Sequence, residues 1–186
     1  MKNRIPLLFG AVCALVLAFG VSAKALTFGD GNDLGTVHFG IPSGDQFRTD
    51  YVNHLVGMTP GTTDSALGQD FTRTSNSCGS CAPVNVLDIS NGTGTNVDLG
   101  SGGYLYLFAK YDGPNAGSEV WYIAGLNGVI TIPSDGLPSD PKQYGLSGWS
   151  IWSGGGTNTP DSGTAAALLG LGLTGLASLR ARFGRK

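Results

Sequence analysis

Two uncharged apolar runs, one near each end, leave only the middle of this chain to form a water-soluble domain. The first is Ile5–Val21, behind Lys2 and Arg4; the second is Ala165–Leu179, ahead of Arg180, Arg182, Arg185 and Lys186. Residues 1–25 have the layout of a secretory signal peptide: a basic start, an apolar centre and an A-x-A cleavage pattern at Ala23-Lys24-Ala25. The mature chain is then expected to begin at Leu26, with cleavage after Ala23 as the competing choice. Cys13 lies inside the apolar run, far from either cleavage point, which argues against a lipoprotein. Signal peptidase is the first partner this implies.

The second run is short. As a helix at ~1.5 Å per residue it reaches ~22 Å, against ~30 Å for a bilayer core. It is marginal as a lasting span, and the basic residues after it predict a cytoplasmic C-terminus. Ala166, Gly170, Thr174 and Ser178 recur every four positions. On a helix they make one ridge of small side chains where another membrane helix can approach closely.

The segment between the ends, about Leu26–Thr159, is one domain in length. It keeps four basic residues (Arg48, Arg73, Lys110, Lys142) against twelve acidic ones, of which only Glu119 is glutamate; 4 − 12 gives −8. Such a body is a poor partner for nucleic acid or anionic lipid, which need clustered Lys and Arg. It suits solubility outside the cell and permits weak calcium binding. Gly, Ser, Thr, Asn and Asp dominate, and no stretch sustains a helical period, so strands and turns are expected. The strand candidates are Thr36–Phe39, Tyr51–Met58, Val84–Ile89, Tyr104–Lys110, Val120–Ala124, Val129–Ile132 and Trp149–Trp152. Asn127-Gly128 between two of them predicts a hairpin with a type I′ turn. The expected fold class is all-β, an antiparallel, jelly-roll-like β-sandwich over residues 26–153. Residues 154–159 (Gly-Gly-Gly-Thr-Asn-Thr) read as a flexible linker, and residues 160–186 as a separate tail.

Cys78-Gly-Ser-Cys81 reads as a local disulfide in an oxidising compartment rather than a redox or zinc motif, since there is one pair and no helix signal after it. Asp30-Gly-Asn-Asp33 puts oxygen ligands in a glycine-rich loop but has Ile41 where an EF-hand loop carries glutamate; a turn is the expectation, and no cofactor is expected. His38 and His54 are the two histidines, and no Gly-x-Ser-x-Gly elbow accompanies them; catalysis is not expected. Trp121, Trp149 and Trp152 are candidate glycan contacts, because aromatic faces stack on sugars; they equally suit a core. Trp149 and Trp152, three apart, would point to opposite faces of a strand.

Pro160-Asp161-Ser162-Gly163, the short apolar run and the basic end together resemble the PEP-CTERM group of bacterial sorting tails. The resemblance is to the variant named for a Val-Pro-Asp-Ser-Gly motif, with Thr159 standing where that variant has valine. It implies export through the inner membrane of a Gram-negative bacterium and transient residence there. It further implies recognition by an exosortase, a membrane-embedded, cysteine transpeptidase-like enzyme, and removal of the tail. The stretch Ala109–Tyr122, with Ile130–Pro133 and Gly145–Trp152, is similar to bodies often joined to such tails. That implies an exported all-β domain of unassigned biochemistry. The expected role is structural or adhesive, at the cell surface or in an extracellular matrix of exopolysaccharide. A secreted carbohydrate-binding module is the alternative, and an Asp-based hydrolase the third reading.

Overall fold

Tyr104-Leu-Tyr-Leu-Phe-Ala-Lys-Tyr111 carries almost no polar residue on either face, so a strand made from it has to be covered on both sides. The computed structural model, which describes residues 23–38, 44–112, 117–136 and 144–154, does cover it twice. In chain order the elements are β1 (Lys24–Ala25), β2 (Asp33–His38), α1 (Asp45–Gly57), β3 (Thr63–Ala66), β4 (Gln69–Arg73), a 3-10 turn (Val86–Asp88), β5 (Ile89–Gly92), β6 (Asn96–Asp98), β7 (Tyr104–Tyr111), β8 (Ser118–Tyr122), β9 (Val129–Thr131) and β10 (Leu146–Ser153).

Seven strands form one antiparallel sheet in the order β3-β4-β2-β8-β7-β10-β5. The other three form a small sheet, β1-β9-β6, in which β1 runs parallel to β9 and β6 antiparallel to it. Alternation along β7 divides its side chains. Leu107, Ala109 and Tyr111 join Trp121, Ile151, Val97, Ile130 and Leu26 between the two sheets. Tyr106 and Phe108 join Val120, Trp152, Leu34 and Phe71 on the opposite face, beneath Tyr51, Val52 and Leu55 of α1. At roughly 25 cal/mol per Å² of apolar surface, these two layers are the main favourable term in folding.

The body is therefore mostly β, with two sheets packed face to face. Its strands divide seven to three, and a helix covers the second face of the larger sheet. The helix corrects the expected strand at Tyr51–Met58. Thr49, Val52 and Leu55, with Tyr51, are the buried residues of α1, a spacing of three and four that only a helix brings to one side. The stretch Val84–Ile89 is likewise not a strand over most of its length; a 3-10 turn capped by Asn85 precedes β5. The expected Asn127-Gly128 hairpin does not form. β8 pairs with β2 and β7, β9 pairs with β1 and β6, and the residues between them carry the chain from one sheet to the other. Gly128 has φ 68°, while Asn127 is not among the positive-φ residues, so the type I′ requirement is unmet. The tight hairpin turn is instead Leu67-Gly68, with φ 55° and 76°, between β3 and β4. The other expected strands coincide with β2, β7, β8, β9 and β10. Among the described residues no helix is long and apolar enough to cross a membrane.

Candidate functional site

The tryptophans are mostly structural. Trp121 is fully buried between the sheets, packs on Phe28 and donates its Nε1–H to Thr27 O at 3.2 Å. Trp152 is fully buried on the helix side, where its Nε1–H meets Thr49 Oγ1 at 3.2 Å. Neither can stack on a sugar, which corrects their place among the glycan contacts. Trp149 does point to the face opposite Trp152 and is half-buried against the inter-sheet core. Its indole lies across Gly92, its partner on β5.

Cys78 and Cys81 are joined in a disulfide with Cα atoms 5.4 Å apart, as the spacing predicted. The loop is tied to the large sheet by Tyr106 of β7. The Tyr106 hydroxyl accepts from Ala82 N at 3.1 Å and donates to Ala82 O at 3.0 Å. Burial pushes that phenol up to about 12, so it stays a donor at any physiological pH. Arg73, at the end of β4, is buried beside the same loop, and its Nη2 lies 3.7 Å from Cys78 Sγ.

The Asp30–Asp33 loop is organised as a turn. Asp30 Oδ1 accepts from Asn32 N at 2.7 Å and Asp33 N at 3.0 Å, while its Oδ2 accepts from Thr27 N at 2.9 Å. Asp33 is buried below this turn and faces Glu119, the one glutamate of the body, which is also buried. Burial first, then the Asp33 carboxyl beside it, pushes Glu119 well above the ordinary carboxylate range; a hydrogen bond from Thr36 Oγ1, 2.8 Å away, opposes the shift. Burial thus favours the protonated form of Glu119. Among the described residues no group of three or more His, Cys, Asp or Glu side chains is placed to hold a metal.

The two histidines have different partners. His54, on α1, pairs through Nε2 with Asp64 Oδ2 at 2.9 Å and packs on Phe71. His38, on β2, contacts Thr72 Oγ1 at 2.9 Å; burial lowers its pKa, with Asp70 opposing. A groove of about 430 Å³ runs between α1 and residues 83–88, with Gln46, Thr49, Asn53, Val84 and Asp88 in its walls. Asn53 spends its amide on the backbone of Val84, accepting at 2.8 Å and donating at 3.0 Å. The groove's polar walls are thus partly occupied in holding α1 to the loop. Buried Arg73 and Glu119 had no sequence signal beyond their scarcity in a body with four basic residues and one glutamate, and Asp33 was marked only as part of the Asp30–Asp33 turn.

The sorting residues Pro160–Gly163, the ridge Ala166, Gly170, Thr174 and Ser178, and the basic residues Arg180, Arg182, Arg185 and Lys186 lie outside the described residues. Comparison with protein families decides their reading. Residues 160–183 match the VPDSG-CTERM motif. This is a sorting tail of the PEP-CTERM kind, and the VPDSG-CTERM match begins at Pro160, one residue after the departure at Thr159. A VPDSG-CTERM tail marks an exported, envelope-associated protein whose sorting partner is of the exosortase kind. The match covers the tail alone. No curated protein and no solved structure matches the chain.

Proposed function

We propose that the body is a non-catalytic structural or adhesive domain of a Gram-negative bacterium, held at the cell surface or in the extracellular matrix in contact with exopolysaccharide. The VPDSG-CTERM tail carries this reading, because it supplies a delivery route whose end point lies outside the inner membrane. The acidic balance of the body supports it, since a net charge of −8 between the two end segments keeps an exported domain soluble and off anionic membranes. Aromatic side chains support it too: Trp121 and Trp152 are spent on packing, giving a rigid scaffold rather than a sugar-stacking strip. The jelly-roll-like sandwich belongs to the same reading, with the seven- and three-stranded sheets as its two layers.

One experiment tests both delivery and destination. Extracellular polysaccharide is isolated from cells making the natural chain and from cells making a Pro160→Ala, Asp161→Ala variant. The natural protein is expected at reduced size with the polysaccharide, and released when the polysaccharide is depolymerised. The variant is expected at larger size in the membrane fraction. Natural protein found free in the medium would remove the matrix role. Normal size and location of the variant would remove recognition of the tail.

A further inference from the structure

Arg73 is an unusual cation for a body this acidic. It is 3 % exposed. Its Nη1 donates to Leu34 O at 2.7 Å, and its Nε is buried without a hydrogen-bond partner. Among the described residues no carboxylate stands within 4.0 Å of the guanidinium. Asp33 on β2 and Tyr106 on β7 face it from farther off. A buried charge with no close counter-ion is costly to fold around. One atom nearby can become an anion at contact range: Cys78 Sγ, 3.7 Å from Nη2.

We propose that Cys78–Cys81 is an exchangeable redox pair, in which Arg73 is the built-in counter-ion for the Cys78 thiolate released on reduction. The substrate class is an external thiol, of a small molecule or another exported protein. Its thiolate attacks Cys81 Sγ. The Cys78–Cys81 bond breaks, and its electron pair leaves on Cys78 as a thiolate beside Arg73. A second external thiol attacks the outer sulfur of the mixed disulfide and expels Cys81. Two external thiols are oxidised to one disulfide, and the protein's disulfide is reduced to the Cys81 thiol and the Cys78 thiolate. The two protons given up by the external thiols go one to Cys81 and one to solvent while Cys78 stays ionised.

Leaving-group and nucleophile chemistry both favour this polarity. The sulfur with the lower pKa leaves faster, and a nearby cation lowers a thiol's pKa. Stabilising the dithiol state in this way makes the disulfide more oxidising. Access exists, because Gly79 and Ser80 are exposed and both cysteines are only half-buried. The loop also has a hold independent of the disulfide, through Ala82 on Tyr106 and Ser80 Oγ 3.4 Å from Tyr122 Oη. The pair can therefore open without the loop leaving the sheet. None of this depends on the matrix role.

The test uses the exported protein, isolated oxidised and equilibrated against a series of reduced-to-oxidised glutathione ratios. The peptide holding Cys78 and Cys81 is then read by mass spectrometry after acid trapping. Half-reduction within the series is expected; a disulfide that survives the whole series overturns the proposal. In the reduced protein, Cys78 should be alkylated by iodoacetamide with a midpoint below the ~8.5 of a free thiol. A midpoint at or above that value overturns the proposal whether or not any variant folds. Arg73→Met should slow Cys78 alkylation at pH 6 by about tenfold, the equivalent of one pKa unit, and Arg73→Lys should restore much of it. An unchanged midpoint in folded Arg73→Met protein removes Arg73 from the mechanism.

Discussion

Glu119 sits where a carboxylate has no business being ionised: buried between two sheets, against Asp33 and under one hydroxyl. Its folded-state pKa is raised, so folding favours the protonated form. The contribution it makes to stability is full below its ordinary value near 4.5 and is lost as pH rises through the folded-state value. Glu119→Gln keeps a hydrogen-bonding amide and removes the titration. The natural protein should lose melting temperature between pH 5 and pH 8, and the variant should lose less, overtaking it at the alkaline end. Thermal melts at the two pH values check this, and parallel losses would show that folding does not raise the Glu119 pKa. A sequence marks such a residue only by rarity. Burial beside another acid is decided by the Asp33–Trp121 and Thr36–Glu119 register, which spans more than eighty residues.

The pairing of β5 with β10 depends on one missing side chain. Opposite Trp149 stands Gly92, and a Cβ there would lie 2.2 Å from the indole. Gly92→Val should cost about 1–3 kcal/mol of stability through overpacking, measured by denaturant unfolding. Adding Trp149→Ala to it should cost less than the two single losses summed, since the pair shares one contact; simple additivity would show that the indole does not fill that space. Elements of this kind were unevenly readable. β7 announced itself by seven apolar or aromatic side chains among its eight residues, and β10 by Trp149 and Trp152. Helix α1 did not, because Thr, Tyr and Val at its buried positions are strand formers and most of its remaining residues are polar. Packing against the large sheet overrides that preference. Asn127-Gly128 had the right chemistry for a hairpin but lies where the chain changes sheets. The actual hairpin turn, Leu67-Gly68, was hidden by a leucine held at positive φ.

For the molecule as a whole, the fold bears on where the expected leader is cut. β1 consists of Lys24 and Ala25, paired with Ile130 and Thr131 of β9, and Lys24 Nζ donates to Asn32 Oδ1 at 2.6 Å. Removal of the leader after Ala25 would delete this strand, whereas removal after Ala23 keeps it. The exported protein is expected to begin at Lys24, as read by N-terminal mass spectrometry; a start at Leu26 would show that the small sheet manages with two strands. Of the functional regions, the tail was the more readable, because a sorting signal must work as a linear string. Arg73 beside Cys78 was not, since the neighbourhood exists only once β4 is laid against β2.

β10 has a further consequence, a mechanical one. It is the last described strand, and it is laced on one flank to β7 and on the other to β5. Any tension carried by a C-terminal attachment enters the body through Gly154, which is itself pinned by its N–H to Gly103 O at 3.0 Å. Such a pull acts on a strand held by ladders on both flanks. The end by which the protein is delivered is also the end best built to bear a load.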